Sequence, residues 1–397
     1  MEWLVALPVV AQWAIMLIAG IIYGGIIGLI PSAGPGKAVI LLFVIVSYFD
    51  FPGANYLFVL FSIATVVSCS IGDSFAGVLL GIPGASGAAA TMVDGFPLAK
   101  QGRASYALSS ALFCSTVNGL LFGLLGMAII PFYGKISQYV GVPEIFGMVC
   151  LAFALISTVT TKNTIRSLCA IGLGLFIGSI GYGMMGEVRN TFGWEYLEDG
   201  IPVVIVAAGL FALPELYEAM VTNFKIAKID NKTHNRQTWE GIYSVWKHKW
   251  LALMGGAIGW VVGILPGTGG GVGDWSAYSA TVATNKKEEV PFGKGNIKGV
   301  IGSEGANNSG KMGGLLPTIM FGIPGGKMYA ILMALWLYVG FEVGNSSIMN
   351  DQTFISHLLG GYMLGTLFAG ILMIAFARQC TKIVYFPARY WMPPMLA

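Results

Sequence analysis

A stretch rich in Pro and Gly, Gly28-Leu29-Ile30-Pro31-Ser32-Ala33-Gly34-Pro35-Gly36, returns in altered form as Gly263-Ile264-Leu265-Pro266-Gly267-Thr268-Gly269-Gly270-Gly271. Each copy is followed by an Ile-Pro-Gly turn, Gly81-Ile82-Pro83-Gly84 and then Gly322-Ile323-Pro324-Gly325, at Pro-to-Pro separations of 52 and 58 residues. Both copies sit inside apolar sequence. Pro removes a backbone donor and Gly leaves helical φ/ψ easily, so each stretch breaks a helix. Lipid offers nothing to a freed backbone group, so such breaks persist only where protein or a cavity takes them up. Broken segments at matching places in two halves point to a transport site.

Composition places the chain in a membrane. Charged residues are 10% of the 397 and mean hydropathy is +0.74, too little polar surface to solvate a soluble domain of this length. The 56 glycines are about twice the usual ~7%. They allow close helix approach as well as irregular backbone. The net charge of +3 carries no indication of a nucleic-acid partner.

Apolar runs predict spans at 9–30, 54–70, 104–132, 143–161, 164–184, 201–222, 250–266, 299–320 and 352–378. Most approach the ~20 residues that cross the hydrocarbon. The runs 38–49 and 272–284 are shorter. Each is read as the second half of a helix broken at the loop before it.

Lys and Arg near span ends are retained in the cytoplasm. The long polar stretch 223–249, with Lys225, Lys228, Lys232, Arg236, Lys247 and Lys249, is therefore placed inside. Counting through the spans puts Lys100, Arg103, Lys162, Arg166, Arg378 and Lys382 inside and the acidic loop Glu187 to Asp199 outside, with Lys135 the exception. The first repeat then begins outside and the second inside, which makes the two copies inverted. The expected fold is an all-α polytopic membrane protein with inverted repeats, broken helices and re-entrant Gly/Pro hairpins. Its parts are a first repeat at 1–135, connecting spans and a basic loop at 136–249, and a second repeat at 250–397.

The first span has no basic flank and no small-residue cleavage site, so it reads as retained rather than as a signal peptide. Cys69, Cys114, Cys150, Cys169 and Cys380 stand singly, without metal-ligand spacing, and are read as small packing residues. His234, His248 and His357 also lack ligand neighbours and are expected to be solvated or interfacial.

Three further motifs are specific. They are Asp94-Gly95-Phe96-Pro97-Leu98-Ala99-Lys100-Gln101-Gly102-Arg103, Pro266-Gly267-Thr268-Gly269, and the run Phe292-Gly293-Lys294-Gly295-Asn296-Ile297-Lys298-Gly299-Val300 continuing through Ser303-Glu304-Gly305-Ala306-Asn307-Asn308-Ser309 to Gly322-Ile323-Pro324-Gly325. In this order, over about residues 20 to 330, they resemble the large membrane subunit of bacterial tripartite tricarboxylate transporters. The resemblance implies a secondary transporter of the bacterial inner membrane, driven by a sodium ion or proton gradient, with no cofactor. It implies carboxylate substrates such as citrate, and as partners a small membrane subunit and a periplasmic solute-binding protein, within the lipid bilayer. Ser32 and Lys37 in the first loop, Lys311 after the Asn pair and Lys327 after the second Ile-Pro-Gly depart from the family pattern. A Pro-Gly-Pro expected between Leu335 and Gly344 is absent, and family members usually extend beyond the equivalent of Ala397.

An anion in a low-dielectric site needs donors, and a helix that starts after Gly-rich backbone supplies unpaired N–H groups and the positive end of its dipole. The substrate set is therefore expected to comprise Ser32, Gly34, Gly36, Lys37, Pro83, Gly84, Gly267, Thr268, Gly269, Pro324, Gly325 and Lys327, with Asn307, Asn308 and Lys311 from the motif that follows. Asn amides both donate and accept, which suits substrate or ion. Acidic groups at membrane depth are costly and usually functional. Asp73, Asp274, Ser303 and Glu304 form the expected coupling-ion set, and Asp94 is a further acid at this depth. Lys311 stands seven residues beyond Glu304, on the same helical face, where the two can pair.

Two other classes compete. Gly271-Val272-Gly273-Asp274 matches the GxGD pattern of intramembrane aspartyl proteases and Ser70-Ile71-Gly72-Asp73 nearly does, but Tyr48-Phe49-Asp50 and Pro387-Ala388-Arg389 miss that family's other elements. An anion channel is the second rival, since symmetric broken helices also occur in channels.

Overall fold

The computed structural model describes residues 7–30, 33–48, 55–81, 84–85, 87–132, 164–182, 187–198, 200–201 and 234–384, with isolated positions between 135 and 150. Pro31, Ser32, Pro83, the expected span 201–222 and nearly all of 143–161 lie outside the described residues. The regular structure described is α-helical, with a π-helical turn at Ala99–Arg103, 3-10 turns at Ile130–Phe132 and Glu195–Leu197, and a two-residue antiparallel pairing of Gly181–Tyr182 with Val188–Arg189.

The first half holds α1 (Val9–Leu29), α2 (Gly34–Tyr48), α3 (Asn55–Leu80), α4 (Ala88–Leu98) and α5 (Ala104–Ile129). Then come α6 (Thr164–Gly178) and α7 (His234–Lys247). The second half holds α8 (Lys249–Ile264), α9 (Gly269–Thr284), α10 (Ile297–Phe321), α11 (Lys327–Tyr338), α12 (Ser346–Asn350), α13 (Gln352–Ala375) and α14 (Ala377–Val384). Val9–Leu29, Tyr56–Leu80, the Ala88–Phe132 run and Gln352–Ala375 are long and apolar enough to cross a membrane. Ile15, Ile18, Ile22 and Ile26 form an exposed row on α1, as a lipid-facing helix requires.

Several expectations need correction. The span predicted at 54–70 continues to Leu80, so Ser70 and Asp73 lie inside a helix rather than at its end. Polar side chains there lower the hydropathy, yet helices cover them on all sides. The half-helices begin at Gly34 and Gly269, earlier than the apolar runs at 38 and 272, because Gly-rich backbone already turns there. The polar stretch before Lys249 contains α7, which packs on α5. Ser110 Oγ donates to Gly241 O at 3.0 Å, and Ser105 Oγ meets His234 Nδ1 at 2.8 Å. His234 is thus buried, and so is His357, which stacks on Trp13. Neither is solvated. Cys69 and Cys114 are packing residues as expected, whereas Cys150 and Cys169 are exposed in this chain.

The helix α7 turns its small polar side inward and its aromatic side out. Trp239, Tyr243 and Trp246, followed by Trp250 on α8, are all exposed, with the Lys249 ammonium 5.6 Å from the Trp246 ring. Aromatic rings beside basic groups favour the interface between lipid and water.

The same local packing is used in both halves. On α1, Gly20, Gly24 and Gly28 press against the backbone of Phe61, Thr65 and Cys69 on α3; a Cβ at Gly20 would stand 2.6 Å from Phe61 O. On α8, Gly255, Gly259 and Gly263 press against Gly302, Ala306 and Gly310 on α10, where a Cβ at Gly259 would stand 2.5 Å from Ala306 Cα. Small residues four apart let two backbones touch. Both α3 and α10 end at a left-handed glycine, Gly81 at φ 69° and Gly322 at φ 66°, which closes the last turn without a Cβ clash.

Candidate functional site

The centre of the molecule is α10, buried without interruption from Gly299 to Met320. An apolar helix needs no such enclosure, but this one carries Ser303, Glu304, Asn307, Asn308 and Lys311, all buried. Polar groups out of water must be paired. Their partners come mainly from α3 and α4.

Glu304 Oε1 accepts from Ser74 Oγ at 2.9 Å, and its Oε2 accepts from Asn307 Nδ2 at 3.2 Å. Asn307 Nδ2 also donates to Ser70 O at 2.9 Å. The Lys311 ammonium donates to Asn307 Oδ1 at 3.2 Å, and Tyr329 OH donates to the Lys311 carbonyl. Asn308 O accepts from Tyr362 OH at 2.7 Å, and Ser303 Oγ meets Thr91 Oγ1 at 2.9 Å. The expected direct pair of Glu304 with Lys311 is therefore replaced by a pair joined through Asn307.

Asp73 on α3 and Asp274 on α9 complete this centre. Each lies within electrostatic reach of both Glu304 and Lys311. Both are buried, and one oxygen of Asp73 and both oxygens of Asp274 have no hydrogen-bond partner. Ser70 Oγ and Asn308 Oδ1 are likewise without one. All four residues of the expected ion set thus lie on adjoining helices.

The Pro/Gly loops meet their own Ile-Pro-Gly turns. In the first half a Cβ at Gly34 would stand 2.8 Å from Gly84 O, and one at Gly84 would stand 2.5 Å from Asp73 Cβ. In the second, Gly267 N donates to Pro324 O at 3.4 Å and Gly269 N to Gly325 O at 3.1 Å. A Cβ at Gly325 would meet Gly314 Cα at 2.5 Å, on α10 itself. Each loop therefore reaches the central helices through its turn. Gly36 and Gly269 have open space where a side chain would stand. Thr268 Oγ1 donates within its own loop, to Val262 O at 2.8 Å, so its proton closes the end of α8. Lys37 is buried in the first turn of α2, and Lys327 is the exposed first residue of α11, a helix packed on α2.

Asp94 has a different task from the other acids. Its Oδ1 accepts from the backbone N–H groups of Gly293 at 2.8 Å, Gly295 at 3.0 Å and Asn296 at 2.9 Å, and its Oδ2 accepts from Tyr278 OH at 3.0 Å. It clasps the loop before α10 and locks the Asp94–Arg103 motif to the Phe292–Val300 motif. Sequence reasoning missed Ser70, Ser74, Thr91, Tyr329 and Tyr362. The signal for the first two was Ser70, Asp73 and Ser74 spaced along one helical face inside apolar sequence.

Membrane-type helices around a buried centre of carboxylates, amides and an ammonium define a membrane protein with charged groups at its core. The model of the tripartite tricarboxylate transporter TctA family matches residues 14–397, and the chain belongs to that family. A protein of Agrobacterium vitis described as an uncharacterized 52.8 kDa protein in the TAR-I ttuC' 3'region is 26% identical over 397 residues, covering 98% of this chain and 76% of that protein. A second from the same organism, an uncharacterized protein in the TAR-II ttuC' 3'region, is 26% identical over 138 residues, covering 35% of this chain and 57% of its own. No solved structure matches the chain.

Proposed function

We propose that this permease component is an ion-gradient-driven secondary transporter of the bacterial inner membrane. It imports small organic di- and tricarboxylates, citrate among them, received from a periplasmic solute-binding protein, and works with a small membrane subunit. The observation that carries this reading is the buried row from Ser303 to Lys311 on α10, facing Ser70 and Ser74 on α3. A polar row with no access to bulk water belongs to a solute path rather than to a lipid-facing helix.

The site divides into two sides. Gly34, Gly36, Gly84, Gly267, Gly269 and Gly325, at the loops and turns beside helix ends, present backbone to an anion, with Thr268 and Pro324 next to them; Ser32 and Pro83, outside the described residues, are assigned to the same side. Lys37 and Lys327 draw the carboxylates in. Asp73, Asp274, Ser303 and Glu304 form the side that takes sodium or protons, and Lys311 joins them through Asn307. Asn308, the next residue along α10, is assigned to the substrate. We read the halves as inverted repeats, which would let exchange of their conformations alternate the opening.

Uptake in proteoliposomes carrying the partner subunits, with sodium and proton gradients imposed separately, tests the reading. Saturable accumulation of a tricarboxylate that needs one of the gradients is expected. Flux that is linear in substrate and indifferent to both gradients would indicate a channel and overturn it. Labelling single cysteines at positions 196 and 235 tests the topology, since the inverted arrangement puts them on opposite faces.

A further inference from the structure

The centre formed by Asp73, Asp274, Glu304 and Lys311 has a charge imbalance. Three carboxylates and one ammonium, all buried, belong to α3, α9 and α10. Ionised together they leave a surplus of negative charge, which a low-dielectric interior does not tolerate without a counter-charge. The Lys311 ammonium is a protein cation whose charge reaches all three carboxylates. It is held as a bound cation would be, by oxygen atoms, with Asn307 Oδ1 at 3.2 Å and Asn307 O at 3.5 Å. Within electrostatic reach of it, Asp274 Oδ1 and Oδ2 and Asp73 Oδ1 are buried with no hydrogen-bond partner. Carboxylate, amide, hydroxyl and carbonyl oxygens are the ligands that hard cations take.

We propose that the Lys311 ammonium is a tethered substitute for a sodium-type monovalent cation, filling from within a site built of Asp73, Asp274, Asn307 and Glu304. This rests on reading these residues as the ion side of the permease. The wild-type chain then has no need of sodium at this position, which leaves protons, of the two ions named above, as the one this side takes in the wild type. Removing the ammonium while keeping its stem, as in Lys311→Met, exposes the cation site and makes the protein responsive to sodium. A lysine with a merely structural role predicts only lost stability, with sodium and choline equivalent.

The test is thermal unfolding of the full chain in nanodiscs, in sodium chloride and in choline chloride of equal ionic strength. Wild type and Lys311→Arg should melt alike in both salts. Lys311→Met should melt lower in choline and rise in sodium, saturably, by roughly 3–8 °C at sodium far above its dissociation constant. A Lys311→Met protein indifferent to sodium overturns the proposal, as does a wild type that responds to sodium as strongly as the variant. Should Lys311→Met fail to fold, the double variant with Asp274→Asn decides the matter. It removes one negative charge with the ammonium and should recover folded yield, and failure to recover it also overturns the proposal. Melting reads the cation site without transport. A negative result leaves carboxylate uptake standing, and absence of uptake leaves the melting result standing.

Discussion

Lys311 and Glu304, seven residues apart on α10, are coupled through one amide: Asn307 accepts from the ammonium and donates to the carboxylate, each at 3.2 Å. Asn307→Leu strips both charges of this partner. Each orphaned buried group costs about 1–3 kcal/mol, so the variant should unfold at lower denaturant and lose uptake. Asn308→Leu makes the contrast. It removes an oxygen that has no partner and one long amide bond to Val67 O at 3.5 Å, and keeps the branched shape and number of side-chain heavy atoms, so it should cost less stability than Asn307→Leu while uptake is abolished. Unchanged uptake in Asn308→Leu would move the substrate path elsewhere.

Lys37 and Lys327 are expected to act on substrate charge. A charged hydrogen bond from an ammonium to a carboxylate contributes roughly 1.5–3 kcal/mol. Lys37→Met or Lys327→Met should therefore raise the half-saturation for uptake by about one to two decades in at least one case. Wild-type affinity in both would leave the anion to Gly-rich backbone and helix ends.

Asp94 should matter for stability rather than for ion coupling. Asp94→Ala abandons three backbone N–H groups and Tyr278 OH, and each buried donor left without a partner costs about 1–3 kcal/mol. Limited proteolysis at Lys294 should accelerate in this variant. Asp94→Asn keeps one acceptor and should fall between it and wild type.

Docking of α7 should weaken in acid. Burial, and next the positive charge of Arg378, hold the His234 imidazole below its ordinary value near 6.5. The folded state thus binds fewer protons than the unfolded state in this window. The contribution is complete above about pH 6.5 and is lost as pH falls from there towards the folded value. Protection factors for hydrogen exchange across His234–Lys247, with the intrinsic pH dependence of exchange divided out, should be lower at pH 5.5 than at pH 7.5, and His234→Gln should flatten the difference.

The glycine contacts predict a sharp contrast between two substitutions. Gly259→Val forces a side chain onto Ala306, and overpacking of this kind costs about 1–3 kcal/mol or more; yield and melting temperature should drop. Gly36→Ala meets nothing within 4 Å and should fold normally. Any loss of uptake in it then reports on the site alone.

The helices and their breaks were legible because lipid allows few backbone solutions, and the doubled Pro/Gly loops marked where α2 and α9 begin. The full length of α3 was not. Ser70, Asp73 and Ser74 look like the end of a span when hydropathy is summed along the chain, and only the helices packed around them make them interior. The helix α7 was hidden for the opposite reason, since its aromatic side faces out and its small polar side faces α5. For the candidate site, residue types sorted the ion set from the loops. They could not reveal that Asp94 clasps a loop or that Asn307 stands between Glu304 and Lys311, because these are contacts between segments far apart in sequence. Lys311, expected with the substrate set, bonds to the same Asn307 amide as Glu304.

The two glycine seams also divide the molecule mechanically. Where Gly24 lies on Thr65 and Gly259 on Ala306, backbone rests on backbone, with no side chain between that changes rotamer, so α1 with α3 and α8 with α10 each behave as a stiff beam. Between the beams the links are of another kind: single hydrogen bonds such as Ser74 to Glu304 and Asn307 to Ser70, which break and re-form as surfaces slide. The alternation we propose would therefore run along the plane where α3 faces α10, and the residues that give way in it would be the ones that carry the charge.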